Sequence, residues 1–190
     1  MAESVKVTTG SPISGKNIFY FIQSIHDKVG SPALMPAYRT DGETTFGGDF
    51  IDEQTQQGRV LKKGTDEHEI ELTQYCVAGD ESLKVIQDAQ RTGDSVKVWR
   101  VIVDKDAAKK GTEEGTKLYP AKFGYAKVSE CSESSGVEDL VEINYTLSII
   151  DSLKDGEFPL TDQAIGMLES VYTYQNPGES TGDYNNIQRG

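Results

Sequence analysis

Apolar and polar side chains alternate most clearly between Leu140 and Ile150. The odd positions from Val141 to Ile149 are apolar, and the even positions between them are polar. A period of two residues is typical of a β-strand with one buried face and one face that is open to water or to a partner. The pattern therefore predicts a strand over residues 140–150, with its odd-numbered side chains in the core.

Four further apolar or β-branched segments predict strands of their own. They cover residues 18–25, 69–76, 96–103 and 122–131. Residues 80–92 instead show the 3.6-residue period of an amphipathic helix, in which Leu83 and Ile86 face the core. Asp80 suits the N-cap of this helix, and Gly93 suits the position after its last turn. The hydrophobic pattern thus predicts a mainly β domain with one helix.

Two segments interrupt this pattern. Residues 42–64 are polar and acidic without a sustained period, which predicts a long loop between strands. From Asp151 onward the chain is again acidic and rich in Gly, Pro and Asn, which predicts a C-terminal extension over 151–190 and not a second core. Residues 1–14 are interpreted as an N-terminal arm, so that 15–150 form the β domain.

The composition limits the partners that the chain can bind. Its 190 residues include 19 Lys and Arg against 31 Asp and Glu, a net charge of −12 with both histidines neutral. This excess argues against tight binding to nucleic-acid phosphates or to an anionic membrane surface. No segment has the length and apolar character of a membrane span, and the N-terminus lacks the apolar core of a signal peptide. We therefore expect a protein that is made and used without crossing a membrane.

The motifs that could carry chemistry are incomplete. Residues 10–17 nearly form a phosphate-binding loop, but Asn17 stands where that loop needs a hydroxyl. His68 and Glu69 begin like a zinc-protease motif, yet Leu72 occupies the position of the second histidine. A nucleophilic Cys–His pair remains an alternative, because two residues that are distant in sequence can be in contact in the fold. The sequence thus predicts a protein that is not an enzyme and has no metal or cofactor.

Short segments along nearly the whole chain, taken in order, resemble a known family. They are residues 15–25, 36–42, 50–55, 58–61, 98–101, 122–126, 136–143 and 175–182. The family is that of the major tail tube proteins of long-tailed bacteriophages with flexible, non-contractile tails, especially those that infect Gram-positive bacteria. No single segment is diagnostic, but the ordered set is specific.

This resemblance implies a tail-tube fold of two packed β-sheets, sandwich-like or barrel-like, with a flanking helix. It also implies hexameric rings that stack into a hollow tube, through which double-stranded genomic DNA passes without specific binding. The implied partners are further copies of the chain and the tape measure, tail terminator and distal tail proteins of the phage. The implied location is the virion, after assembly in the host cytoplasm. The family offers no catalytic residues to transfer.

Two other functions stay open at this point. A tube protein of a related tail-like secretion or toxin-delivery machine would have the same architecture but carry no genome. A small cytosolic enzyme or a ligand-binding β-barrel would need a site that the motifs above do not provide.

The candidate functional residues are those expected to contact neighbouring subunits or to line the channel. Exposed aromatic and apolar side chains are common energetic centres of interfaces. For contacts between subunits, mainly between rings, the candidates are Phe46, Phe50, Ile51, Arg59, Leu61, Phe158, Tyr172 and Tyr174. An acidic channel wall would repel phosphates and let DNA slide. The candidates for that wall are Glu69, Glu71 and Glu142, and the helix is expected on the outside of the tube.

Overall fold

A computed structural model describes residues 10–169 of the chain. Its strands are β1 (Ile18–Ser24), β2 (Arg39–Thr55), β3 (Gly58–Tyr75), β4 (Ser95–Ile102), β5 (Lys109–Lys110), β6 (Thr116–Ser134), β7 (Glu142–Ile149) and β8 (Lys154–Thr161). The helices are α1 (Glu81–Thr92) and α2 (Asp162–Glu169), and a single 3-10 turn precedes β1 at Gly15–Asn17. The predicted mainly β composition is confirmed.

The strands form one antiparallel sheet that curls on itself. Its order is β1-β4-β6-β7-β3-β2, and β5 and β8 pair with β6 outside this path. The two ends of the path meet through side chains. The Tyr20 hydroxyl on β1 lies 3.0 Å from Oγ1 of Thr44 on β2, and the Arg39 guanidinium lies over the Tyr20 ring. The expected barrel-like arrangement is thus present, with its layers joined in one continuous hydrogen-bonded sheet.

Strand β7 confirms the alternation seen in the sequence. Ile143, Tyr145 and Leu147 are buried, whereas Asn144 between them is exposed. The ends of the predicted strand differ, because Leu140 and the residues next to it belong to the turn before β7.

Helix α1 covers one face of the curled sheet, as predicted. Leu83 and Ile86 are buried in a cluster with side chains from β1, β3, β4, β6 and β7. The Asp80 carboxylate accepts hydrogen bonds from the amides of the first turn. Gly93 ends the helix at φ 77°, a left-handed conformation that glycine adopts without strain.

A buried polar network fixes the start of α1 to the sheet. The Gln74 amide on β3 donates to the Asp80 carboxylate at 2.8 Å and accepts from the Tyr145 hydroxyl on β7 at 2.9 Å. Burial raises the pKa of Tyr145, so the hydroxyl keeps its proton and remains a donor. Because a buried polar group without a partner costs about 1–3 kcal/mol, these bonds tie the helix to β3 and β7 in one arrangement.

A second apolar cluster lies on the face of β1 and β4 opposite to α1. It includes residues of the segment that was predicted as a C-terminal extension. Phe21 and Val101 pack there against Leu160 of β8 and Ile165 of α2. The prediction that no core is formed after Asp151 is therefore wrong for the part of the chain up to α2. The apolar residues of β8 and α2 fill the outer face of β1 and β4, which would otherwise be exposed. Residues 1–9 and 170–190 lie outside the described residues.

The predicted long loop over 42–64 is also corrected. This segment forms the greater part of a β-hairpin in which β2 and β3 pair from Arg39–Gln74 to Thr55–Gly58. The sequence shows no alternation there because most of the hairpin lies beyond the core and has no buried face.

The face assignment on β7 generates the first prediction. Ile143→Asp places an unpaired carboxylate in the core, and we expect it to lower the free energy of unfolding by at least about 4 kcal/mol or to abolish soluble expression. Asn144→Asp, one residue further on the exposed face, should cost less than about 1 kcal/mol. Urea unfolding of both variants tests this. Equal tolerance of the two carboxylates would show that the faces are assigned wrongly.

Candidate assembly surfaces

Strands β6, β7, β3 and β2 present a face on the side opposite to α1. On β3, Ile70 and Leu72 are buried with the helix, so the odd-numbered Glu69 and Glu71 point to the other side of the sheet. On β7 the exposed Asn144 shares that side. The sheet thus separates its apolar core from a polar face by the strand period alone.

Carboxylates dominate this polar face, which we call the acidic face. It includes Asp41, Glu43, Glu69, Glu71, Glu130 and Glu142. The predicted channel residues therefore lie together. Ser148 donates to Glu69 at 3.2 Å and Thr40 donates to Glu142 at 3.3 Å, so two of the three are hydrogen-bonded within the subunit. Glu71 lies directly opposite Glu43, and like charges in that position destabilise a sheet.

Strands β2 and β3 continue beyond the sheet as a two-stranded ribbon, defined here as residues 48–66. Strand β7 pairs with β3 between Glu69 and Tyr75, so no third strand of residues 10–169 lies beside the ribbon. At about 3.3 Å per residue, it projects roughly 25 Å from the end of the sheet.

Both faces of the ribbon carry exposed apolar side chains. The strand register places Phe50 and Leu61 on one face, where they are 64% and 58% exposed. It places Ile51 and Val60 on the other face, where they are 52% and 50% exposed. A two-stranded hairpin is marginally stable by itself in water. The ribbon is therefore suited to lie between other surfaces.

The charges of the ribbon are partly paired within it. Arg59 donates two hydrogen bonds to Asp52, at 2.8 and 2.6 Å, and this partner lowers the pKa of the Asp52 carboxyl. Lys63 contacts Asp66. Lys62 has no ion-pair partner within residues 10–169. Arg59 is bonded within the ribbon but its side chain remains exposed. Its contact with a neighbouring subunit stays a prediction.

Phe46 lies at the root of the ribbon and is 54% exposed. Its ring meets the His68 ring edge to face at 5.3 Å, and the Lys122 ammonium lies 5.2 Å from its centre. Nδ1 of His68 accepts a hydrogen bond from the amide of Leu153, so the imidazole joins β3 to the turn before β8.

Phe158, which the sequence selected as an inter-subunit contact, is half-buried and packs against side chains of its own subunit. Its contact with a neighbouring subunit stays a prediction. Its ring stacks on Phe21 at 4.8 Å, with an interplanar angle of 10°. Strand β8 places it in the second apolar cluster of its own subunit. Tyr172 and Tyr174 lie outside the described residues.

Two surfaces were missed by the sequence analysis. The first is the turn between β6 and β7, residues 135–141, where Val137 and Leu140 are 105% and 70% exposed. The alternating pattern predicted Leu140 as the start of the strand, whereas the structure places it in the turn. The second surface is a pair of open strand edges. Among the described residues, strand β2 ends the sheet, and β6 has no strand partner on its β4 side beyond Lys127.

The described residues do not bring a cysteine and a histidine together as a nucleophilic pair. His26 binds Asp94 at 3.0 Å, and His68 binds the amide of Leu153. Burial raises the pKa of Cys131, which makes its thiolate scarcer. Within residues 10–169, no group of three or more His, Cys, Asp or Glu side chains is placed to hold a metal ion. Neither described helix combines the length and apolar character needed to cross a membrane.

Comparison with known proteins identifies the family. No family model matches the chain. It is 37% identical over 174 residues to the tail tube protein gp17.1 of Bacillus phage SPP1, a match that covers 91% of this chain. A solved structure of the SPP1 tail tube matches with a TM-score of 0.64 and 33% identity, over 90% of this chain and 96% of that chain. The chain belongs to the phage tail tube protein family. It spans 63% of the length of gp17.1.

The tail tube fold extends to more distant structures. The tail of a gene transfer agent particle, refined with C6 symmetry, matches with a TM-score of 0.55 and 14% identity, over 75% of this chain and 98% of that chain. A contractile injection system in its sheath-tube complex matches with a TM-score of 0.50 and 13% identity, over 77% of this chain and 93% of that chain. At these identities the likeness shows the fold alone.

The acidic face generates the second prediction. Glu43→Gln removes one of two carboxylates that face each other across β2 and β3, so we expect the isolated subunit to gain about 0.2–1 kcal/mol of stability. The gain should shrink as salt is added, because salt screens exposed charges. Glu114→Gln, in a loop remote from Glu71, serves as the control. Urea unfolding at low and high salt measures both, and an unchanged Glu43→Gln variant would contradict the pairing.

Proposed function

We propose that this protein is the structural subunit of a phage tail tube. In this proposal, copies assemble into hexameric rings, and the rings stack into the hollow conduit that delivers genomic DNA into the host cell. The observation that supports it most strongly is the 33% identity to the SPP1 tail tube over 96% of that chain. Identity at this level favours a phage tail tube over the tube of the injection system, which is 13% identical to this chain.

The open strand edges support a ring. An unpaired edge is a template for pairing with another chain. The β2 edge of one copy and the open part of the β6 edge of the next are different surfaces on opposite sides of the acidic face. Such a head-to-tail contact closes into a ring when the rotation between copies allows it. We propose that neighbouring copies in a ring pair in this way and so extend one sheet around the channel.

The acidic face supports the placement of the channel. If the face opposite to α1 lines the lumen, then α1 lies on the outside of the tube. DNA carries one negative charge per roughly 1.7 Å of its length, and a wall with the same sign of charge keeps it from adhering. Glu69, Glu71 and Glu142 are our candidates for that wall.

The ribbon supports contacts between rings. It projects beyond the sheet along the strand direction and leaves Phe50, Ile51 and Leu61 more than half exposed among the described residues. Phe46 and Arg59 at its root and tip are further candidates, as are Tyr172 and Tyr174. A subunit of this kind needs no catalytic residue, and we propose none. The tape measure, tail terminator and distal tail proteins of the phage are proposed as partners from family membership alone.

Removal of the ribbon tests the axial role. Deleting residues 50–63 and joining Asp49 to Gly64 through an Asn-Gly turn keeps the sheet and both apolar clusters, because these two residues face each other across the hairpin. We expect a folded subunit with unchanged urea unfolding that no longer forms long tubes in negative-stain micrographs. Replacing Gln56 and Gln57 by Asn-Gly in the full-length ribbon is the control. Long tubes from the deletion variant would refute the axial role.

Charge reversal tests the channel wall. Particles with Glu69→Lys and Glu71→Lys should assemble, yet release DNA more slowly, because the new cations attract phosphates. The delay should be greater at low salt. Glu81→Lys with Asp88→Lys on α1 makes the same charge change on the face proposed to lie outside, and it should leave the rate of DNA release unchanged. Equal delays in both variants would contradict the placement of the two faces.

A further inference from the structure

A groove lies between the start of β1, the segment that leads into β2 and the end of α2. Its apolar walls are formed by Phe19, Met35, Pro36, Tyr38 and Leu168. Met35 and Tyr38 are 44% and 56% exposed, although both side chains are large and mostly apolar. Residues 10–169 therefore leave this side of the groove open to water.

Tyr38 is held at the groove in an unfavourable backbone conformation. Its φ of 44° lies in the left-handed region, which few residues other than glycine adopt. Its carbonyl accepts a hydrogen bond from the amide of Tyr75 at 3.2 Å, so β3 helps to hold the conformation. Backbone strain of this kind persists where the surroundings enforce it, and it is common where a protein binds another group. The strained turn presents an exposed aromatic ring at a fixed position.

The groove also contains an open strand edge. The amide and the carbonyl of Ile22 bond to Leu34, at 2.7 Å each, on the side of β1 that faces away from β4. The alternation of bonds along an antiparallel strand directs the same groups of Tyr20 to that side. Continuation of the pairing would bring Pro36 opposite Tyr20, and proline has no amide hydrogen to donate. The edge beside Tyr20 is therefore suited to accept an extended segment.

The chain leaves α2 at this same groove. Leu168 is one of the walls, and Glu169 is the last residue of the helix. The five residues that follow are Ser170, Val171, Tyr172, Thr173 and Tyr174. Four consecutive β-branched or aromatic residues favour a strand. In an extended segment Val171 and Thr173 point to one side, and the two tyrosines point to the other.

We propose that residues 171–174 dock in the groove of their own subunit as an extended segment along the β1 edge. Val171 is the first apolar residue after Leu168, so it reaches the groove without a linker and packs against Met35 and Tyr38. Burial of these exposed apolar surfaces supplies the affinity. The two tyrosines of the segment then point away from the groove, towards other copies. The inference concerns a single subunit, so it holds or fails independently of the proposed function.

A cross-link in the free subunit tests the docking. In a background with Cys76→Ser and Cys131→Ser, Val171→Cys with Met35→Cys should form a disulfide within one chain when dilute protein is mildly oxidised. Tyr172→Cys with Met35→Cys is the matched control, because it moves the thiol by one residue to the other side of the segment. We expect the control to oxidise about tenfold more slowly, since a disulfide requires close and well-oriented Cβ atoms. Equal rates would overturn the inference, and so would a disulfide that links two chains.

Urea unfolding of the free subunit tests the same contact without cysteines. Val171→Asp places a carboxylate in the groove, and we expect it to lower the folding equilibrium constant about tenfold or more. Tyr172→Asp, on the other side of the segment, should lower it less than about twofold. Tyr38→Ala combined with Val171→Asp should cost less than the sum of the two single changes, because both remove one contact. Equal effects of the two aspartates, or strict additivity with Tyr38→Ala, would overturn the docking.

Discussion

The two-residue period of β3 and β7 decides how this subunit divides its surface. Leu72 and Tyr145 must be buried under α1 for the subunit to fold, and the same period forces Glu71 and Asn144 to the opposite side. A slip of one residue would place carboxylates in the core and apolar side chains on the acidic face. The core and the acidic face are thus consequences of one β3–β7 register, and the bonds of Gln74 to Asp80 and Tyr145 are compatible with that register alone.

The ribbon is the part of the subunit that its own core does not stabilise. Within residues 10–169 its backbone bonds run between β2 and β3 alone, and its apolar side chains are exposed on both faces. Conformational entropy opposes an ordered hairpin of this kind in the free subunit. Contacts with other copies would supply the missing burial, so the ribbon and the assembly would become ordered together. Arg59 and Asp52 join the two strands near the tip within the subunit itself.

The sequence predicts the elements whose faces differ in polarity and fails where they do not. Strand β7 and helix α1 each have one buried face, so their periods are visible in the chain. The outer half of the hairpin has no buried face, so its sequence shows no two-residue period and predicts a loop. Strand β8 was missed for another reason, because Phe158 and Leu160 pack on β1 and β4, more than fifty residues away in sequence. The acidic candidates lie on one face, whereas the half-buried Phe158 packs against the second apolar cluster of its own subunit.

Electrostatics sets the limit within which such a tube can form. Each copy carries a net charge of −12, so copies repel one another at distances beyond the contacts themselves. At physiological salt this repulsion falls off over about 8 Å, which leaves the acidic faces screened from one another across a wide channel but not across a tight contact. The ribbon carries both signs of charge, with Arg59, Lys62 and Lys63 on β3 and Asp49, Asp52 and Glu53 on β2, so it would add little to this repulsion where it touches another copy. In the proposed tube, an excess of negative charge could then remain on the channel wall, because apolar burial and edge hydrogen bonds, not attraction between faces, would stabilise the assembly.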